Sequence, residues 1–157
     1  MELPNNWADK LAAQAHQQQE DKEARRRGNV ERAQKELEVK QDQLNHVGQL
    51  FKTIPRGLNE IAKSAKSPVV FEEWLLGRPI PLGVPRQGDG TTTPWILVKK
   101  GSSESVIYAT YFNGSIKISL AKRSAQVQAE DLWEGPLDDT EILNAITKYY
   151  FGVALSD

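Results

Sequence analysis

Residues 30–53, VERAQKELEVKQDQLNHVGQLFKT, place apolar side chains at alternating steps of three and four: Val30, Ala33, Leu37, then past a polar Lys40, Leu44, Val47 and Phe51. That rhythm predicts a helix with one narrow apolar seam, as in a coiled coil or a helix laid along another helix. At ~1.5 Å per residue the stretch spans roughly 36 Å, more than the small domain that follows could cover. The expectation is that Val30, Ala33, Leu37, Leu44, Val47 and Phe51 bind a partner, either a second copy in a homo-oligomer or another protein. Lys40 reads as a polar break that sets register within the seam.

Upstream, residues 6–27 are rich in helix formers, with Asn5 or Asn6 as N-cap and Trp7, Leu11, Ala12 and Ala15 as a thin apolar face. Arg25-Arg26-Arg27 before Gly28-Asn29 fits a helix C-terminus. The chain either turns back there or continues as helix through Gly28 at a cost of about 1 kcal/mol. Downstream, Pro55 would cost about 3 kcal/mol in a helix interior, which predicts a stop or kink near Ile54. The heptad phase nevertheless continues through Leu58, Ile61 and Ala65. Ser67-Pro68 then predicts a short helix with Phe71, Trp74 and Leu75 on one face and Gly77 closing it, although residues 69–71 also suit the start of a strand. Residues 77–94, with four glycines and four prolines, read as an irregular connector.

Trp95–Lys100, Ser105–Phe112 and Ser115–Ala121 read as three antiparallel strands, the last two joined by an Asn113-Gly114 type I′ turn. That loop sets Tyr111 opposite Ile116, Ala109 opposite Ile118 and Ile107 opposite Leu120, one apolar face. Asp138 to Glu141 starts a final helix whose stripe of Ile142, Ile146, Tyr149, Tyr150 and Val153 should cover it, ending near Gly152. The fold expected is α+β: a long N-terminal helix or coiled-coil-like region, then a three-stranded antiparallel sheet packed with a C-terminal helix. Residues 1–67 would be the helical association region, 68–94 a short helix and connector, and 95–157 a small α+β domain.

Charge excludes little on its own: the net charge of −1 divides into +2 over residues 1–67 and −3 over residues 68–157. Neither part is a strong polyanion binder by charge alone. The absence of cysteine removes disulfides, thiolate metal sites and cysteine nucleophiles, and fits a reducing compartment. With neither a signal-like N-terminus nor a long apolar run, the expected location is the cytoplasm, away from membranes.

No cofactor, metal site or catalytic group follows from the spacing. His16 and His46 have no second histidine at helical spacing and read as solvated. The carboxylates Glu130, Asp131, Glu134, Asp138, Asp139 and Glu141 read as a loop and helix cap rather than an acid–base pair. Gly88-Asp89-Gly90-Thr91-Thr92-Thr93 is identical to a hexapeptide that resembles the nucleotide-binding stretch of the chaperonins. In that family the motif leads into a helix, whereas here Pro94-Trp95 leads into a strand, so it reads as a flexible loop.

Two features suit nucleic acid. Arg25, Arg26 and Arg27 form a basic knot, interleaved with Glu20, Asp21, Glu23 and Glu31. The second sheet face presents Tyr108, Phe112 and Lys117, with Lys99, Lys100, Lys122 and Arg123 at strand ends, which is how single-strand binders combine stacking with charge. Alternatively the Phe71-Trp74-Leu75 helix, or a partner, covers that face. The sequence thus favours a non-catalytic interaction or adaptor protein that self-associates or docks through the seam. A small nucleic-acid-binding or regulatory protein is the alternative.

Overall fold

The computed structural model describes residues 2–74, 79–122 and 129–155. Its elements are α1 (Trp7–Ser64), β1 (Val69–Glu72), β2 (Trp95–Lys100), β3 (Ser103–Phe112), β4 (Ser115–Lys122), β5 (Glu130–Gly135) and α2 (Asp139–Phe151). The chain divides into two compact units, Met1–Glu38 and Val39–Asp157. The α+β class stands, but the sheet has five antiparallel strands in the order β1-β2-β3-β4-β5, not three.

α1 runs through both Gly28 and Pro55. Pro55 cannot donate to the carbonyl of Phe51, four residues earlier. That carbonyl instead accepts a long hydrogen bond, 3.5 Å, from the Trp74 N–H, so the chain after β1 occupies the acceptor that the proline frees. The expected stop near Ile54 is thereby overturned. The helix ends where its capping bonds close: Ser67 N–H reaches Ala62 O, Lys66 N–H reaches Lys63 O, and Lys66 takes a φ of 55°. This is a Schellman motif with lysine where glycine is usual, followed by Pro68, which cannot extend a helix.

Ser67 therefore finishes α1 and caps no new helix; Val69–Glu72 is the edge strand β1, antiparallel to β2. The parts of the expected short helix at Leu75 and Gly77 lie outside the described residues, as does Arg123. Asn59 secures the strand from α1: its Nδ2 donates to Phe71 O at 2.9 Å and its Oδ1 accepts from Phe71 N–H at 2.8 Å. A side-chain amide here satisfies backbone groups that an edge strand would leave open.

The β3–β4 register matches the expectation from the two-residue loop, with Tyr111 opposite Ile116, Ala109 opposite Ile118 and Ile107 opposite Leu120. Asn113 and Gly114 both take positive φ. The fifth strand, Glu-Asp-Leu-Trp-Glu-Gly, was hidden by its acids, which strands generally disfavour, and by a bulge opposite Ile118/Ser119 that breaks its alternation.

Within Val39–Asp157 one core joins Leu44, Val47, Phe51 and Leu58 of α1 to the sheet and to Ile142 and Ile146 of α2. α2 is capped by Asp138, whose carboxylate accepts the Glu141 N–H, and closed by Gly152 at φ 70°. Its Tyr150 and Phe151 rings pack on Phe71, while Tyr149 and Val153 of the expected stripe stay exposed. The second sheet face is covered too, by the connector at Gly83 and not by the expected Phe71-Trp74-Leu75 helix, since Phe71 lies in β1. Trp95, Leu97, Val106, Tyr108 and Ala121 are buried, and Gly83 in the connector lies so close that a Cβ there would sit 3.1 Å from Ala121 Cβ.

Candidate interaction surfaces

The first unit consists almost wholly of the N-terminal part of α1. Every described residue from 2 to 38 is exposed, save a half-buried Gly28. Its ordered polar contacts are local, one turn apart: His16 Nε2 to Glu20 at 2.9 Å, Gln17 to Asp21 at 3.1 Å, Gln19 to Glu23 at 3.4 Å. Among the described residues no ion pair engages Arg25, Arg26 or Arg27. Val30 is 60% exposed and Leu37 38%, and Ala33 is exposed between them. Lys22, Arg25, Arg26, Asn29, Val30 and Ala33 line one shallow surface, so the basic knot and the start of the seam share a helix face.

The rest of the seam has a different fate. Leu44, Val47 and Phe51 lie in the chain's own core, Phe51 with 0% exposure, and are not available to a partner. The six expected partner-binding residues are thus divided, three exposed and three consumed by folding. Lys40 is likewise engaged within the chain: its ammonium lies 2.6 Å from Asp89 Oδ2.

Asp89 belongs to the Gly88–Thr93 hexapeptide, which is a hydrogen-bonded latch rather than a loose loop. Its Oδ1 accepts from Thr91 N–H at 3.0 Å and from Thr91 Oγ1 at 2.6 Å. Gln87 Nε2 donates to Thr93 Oγ1 at 2.8 Å, its Oε1 lies 2.8 Å from the Thr91 hydroxyl and shares that one proton with Asp89, and Gln41 of α1 accepts the Thr92 N–H. The Lys40 ammonium, with the two Thr91 donors, holds the Asp89 carboxyl well below the usual carboxylate range.

The sheet residues do not assemble a stacking platform. Tyr108 is 9% exposed, beneath the connector side of the sheet, whereas Phe112 at the hairpin is 76% exposed. Lys117 is 3.2 Å from Asp131 Oδ2 and pairs across the ladder with Glu134. The Asp131 carboxylate, bonded to the ammonium, raises the Lys117 pKa above its ordinary value. β5 thus brings acids beside the basic strand β4 and offsets its charge in space.

Spacing along the sequence could not show two further features. His46 Nε2 contacts both carboxylate oxygens of Asp139, at 2.8 and 3.0 Å, tying α1 to the start of α2. An apolar groove of about 290 Å³ runs between Ile54, Gly57 and Ile61 of α1, Leu143 of α2 and Val153–Leu155. Asn144 secures its far wall, accepting the Leu155 N–H at 2.8 Å. Among the described residues no group of three or more His, Asp or Glu is placed to hold a metal ion, and no helix is long and apolar enough to cross a membrane. Compared with protein-family models, curated proteins and solved structures, the chain has no match.

Proposed function

We propose that the chain is a non-catalytic interaction protein that self-associates or docks on another protein through the helix face carrying Val30, Ala33 and Leu37. The observation that supports this reading is the division of one seam. The spacing that is covered by the chain's own sheet from Leu44 onward continues upstream on a helix whose residues 29–38 are all exposed. Apolar side chains at a/d spacing on a helix are stabilised by a second helix, and a narrow stripe suits that occupant better than a broad sheet. Residues 39–155 supply a folded module to which this helix is joined, the arrangement of an adaptor.

The test is light scattering of the purified chain at rising concentration, with and without a mixed-sequence oligonucleotide, beside the variant Val30→Asp/Leu37→Asp. Wild-type chain should form an assembly, or retain a protein partner, that the variant loses while its melting temperature is unchanged. A wild type that stays monomeric and captures nothing through this helix would overturn the reading. Assembly that requires the oligonucleotide and is lost on mutating Arg25, Arg26 and Arg27 would favour nucleic acid instead, with steep salt dependence as its signature.

A further inference from the structure

We propose that residues 12–37 of α1 pair antiparallel with the same residues of a second copy; this rests on the reading above and names the occupant and its direction. Val30, Ala33 and Leu37 define a, d and a positions of a heptad. Carried back in steps of four and three, the same face holds Arg26 (d), Glu23 (a), Gln19 (d), His16 (a) and Ala12 (d), flanked by Glu20 and Arg27 at e positions. All are exposed.

Charge decides the direction. In a parallel pair each a residue meets its own copy, so Glu23 would face Glu23 and Arg26 would face Arg26, like charges in the seam. Lys22 at g would also approach Arg27 at e. In an antiparallel pair a residues meet d residues and e residues meet e residues. With the twofold axis between Ala24 and Arg25, Glu23 meets Arg26 of the second copy and Glu20 meets Arg27, each twice by symmetry, while Lys22 meets the neutral Asn29. The outer layers then set Val30 against Gln19, Ala33 against His16 and Leu37 against Ala12, a large side chain over a small one at the ends.

The same run of sequence, acids at 20, 21 and 23 and bases at 25, 26 and 27, is self-complementary only when reversed. The guanidiniums of Arg26 and Arg27 have no ion-pair partner among the described residues. Glu20 and Glu23 have only exposed contacts to His16 and Gln19, readily exchanged for arginine.

Because the chain has no cysteine, introduced thiols report the direction without background. The full chain is made as Gln19→Cys and, separately, as Val30→Cys. Oxidation of the equimolar mixture should give the mixed dimer as the main product, with little cross-linking of either variant alone, since like positions would lie ~16 Å apart along the axis. Efficient cross-linking of Val30→Cys by itself would show a parallel pair, overturning the direction while self-association stands. A chain that sediments as a monomer and gives no cross-link would exclude a second copy as occupant. Capture of another protein, lost in Val30→Asp/Leu37→Asp, would then decide the broader reading separately. As a second check, Glu23→Arg should weaken the dimer about tenfold by setting arginine against arginine, and Glu23→Arg/Arg26→Glu should restore it. A double reversal that fails to restore the dimer would count against the pairing.

Discussion

Val30, Ala33 and Leu37 repeat the spacing of Leu44, Val47 and Phe51, yet the first three are exposed and the second three form part of a core. The difference lies in the width of the stripe. Between Leu44 and Ala62 the buried set includes Gly48 beside Val47 and Pro55 beside Ile54, adjacent residues that broaden the face for a sheet. Around Val30 to Leu37 the neighbours are Glu31, Arg32, Lys35, Glu36 and Glu38, which leave a strict a/d line. Periodicity thus states that a face is apolar, and the flanking residues state what kind of surface covers it.

The comparison breaks most visibly on truncating equivalent seam positions. Phe51→Ala removes a fully buried ring and is expected to cost about 3–5 kcal/mol of unfolding free energy, while Leu37→Ala should change it by less than about 0.5 kcal/mol. Chemical denaturation of each variant, kept dilute to suppress association, measures both. Equal losses at the two sites would mean that the first unit is packed against something within the chain.

Polar contacts should follow the same division. Asn59→Ala leaves both the N–H and the carbonyl of Phe71 without their part-buried partner, at an expected cost of about 1–3 kcal/mol. Amide hydrogen exchange should quicken in Val69–Glu72 first. Unchanged protection there would show that β2 alone holds the edge strand.

One substitution at two glycines of the same helix should change sign. A Cβ at Gly48 would stand 2.5 Å from Cζ3 of Trp74, whose ring also lies under the Lys52 ammonium. Gly48→Ala is therefore expected to destabilise by about 1–3 kcal/mol, overpacking outweighing helix propensity. Gly28 has nothing within 4 Å of such a carbon, and Gly28→Ala should strengthen the helix by up to about 1 kcal/mol, read as increased helicity by circular dichroism.

Such effects also mark how far the sequence was legible. The β3–β4 register and the limits of α2 followed from Asn113-Gly114 and from the Asp138 and Gly152 caps, because those devices act on adjacent residues. The continuation of α1 past Pro55 did not. It depends on Trp74 supplying a donor, and the helix's end on Lys66 adopting a left-handed conformation that favours glycine. β1 was legible only as the alternative to a short helix, and β5 was missed, because an edge strand owes its conformation to partners distant in sequence, Asn59 and β2 for one, a bulged β4 ladder for the other. At the candidate surface, the exposed half of the seam was legible as spacing. The loss of the stacking platform was not, since the connector over Val106 and Ala121 carries no periodic signal.

The smallest effect is expected at Lys40, where the seam passes from exposed to buried. As a polar break in a partnered seam, Lys40 would be a liability, and Lys40→Leu would raise the melting temperature. As the partner of Asp89 it contributes stability, about 0.2–1 kcal/mol for a partly exposed pair, and Lys40→Leu should lower it. The pH dependence separates the two. The folded Asp89 carboxyl lies below its ordinary value of 3.8, so the unfolded chain takes up the proton more readily. The contribution is complete above about pH 4 and declines as the pH falls from there toward the folded-state value. Denaturation of wild type and Asp89→Asn should therefore differ at pH 7 and converge as the pH is lowered below 4, and added salt should narrow the gap at pH 7. A constant gap across that range would locate the loss in the hydrogen bonds to Thr91, which asparagine keeps only in part, and not in the charge on Lys40.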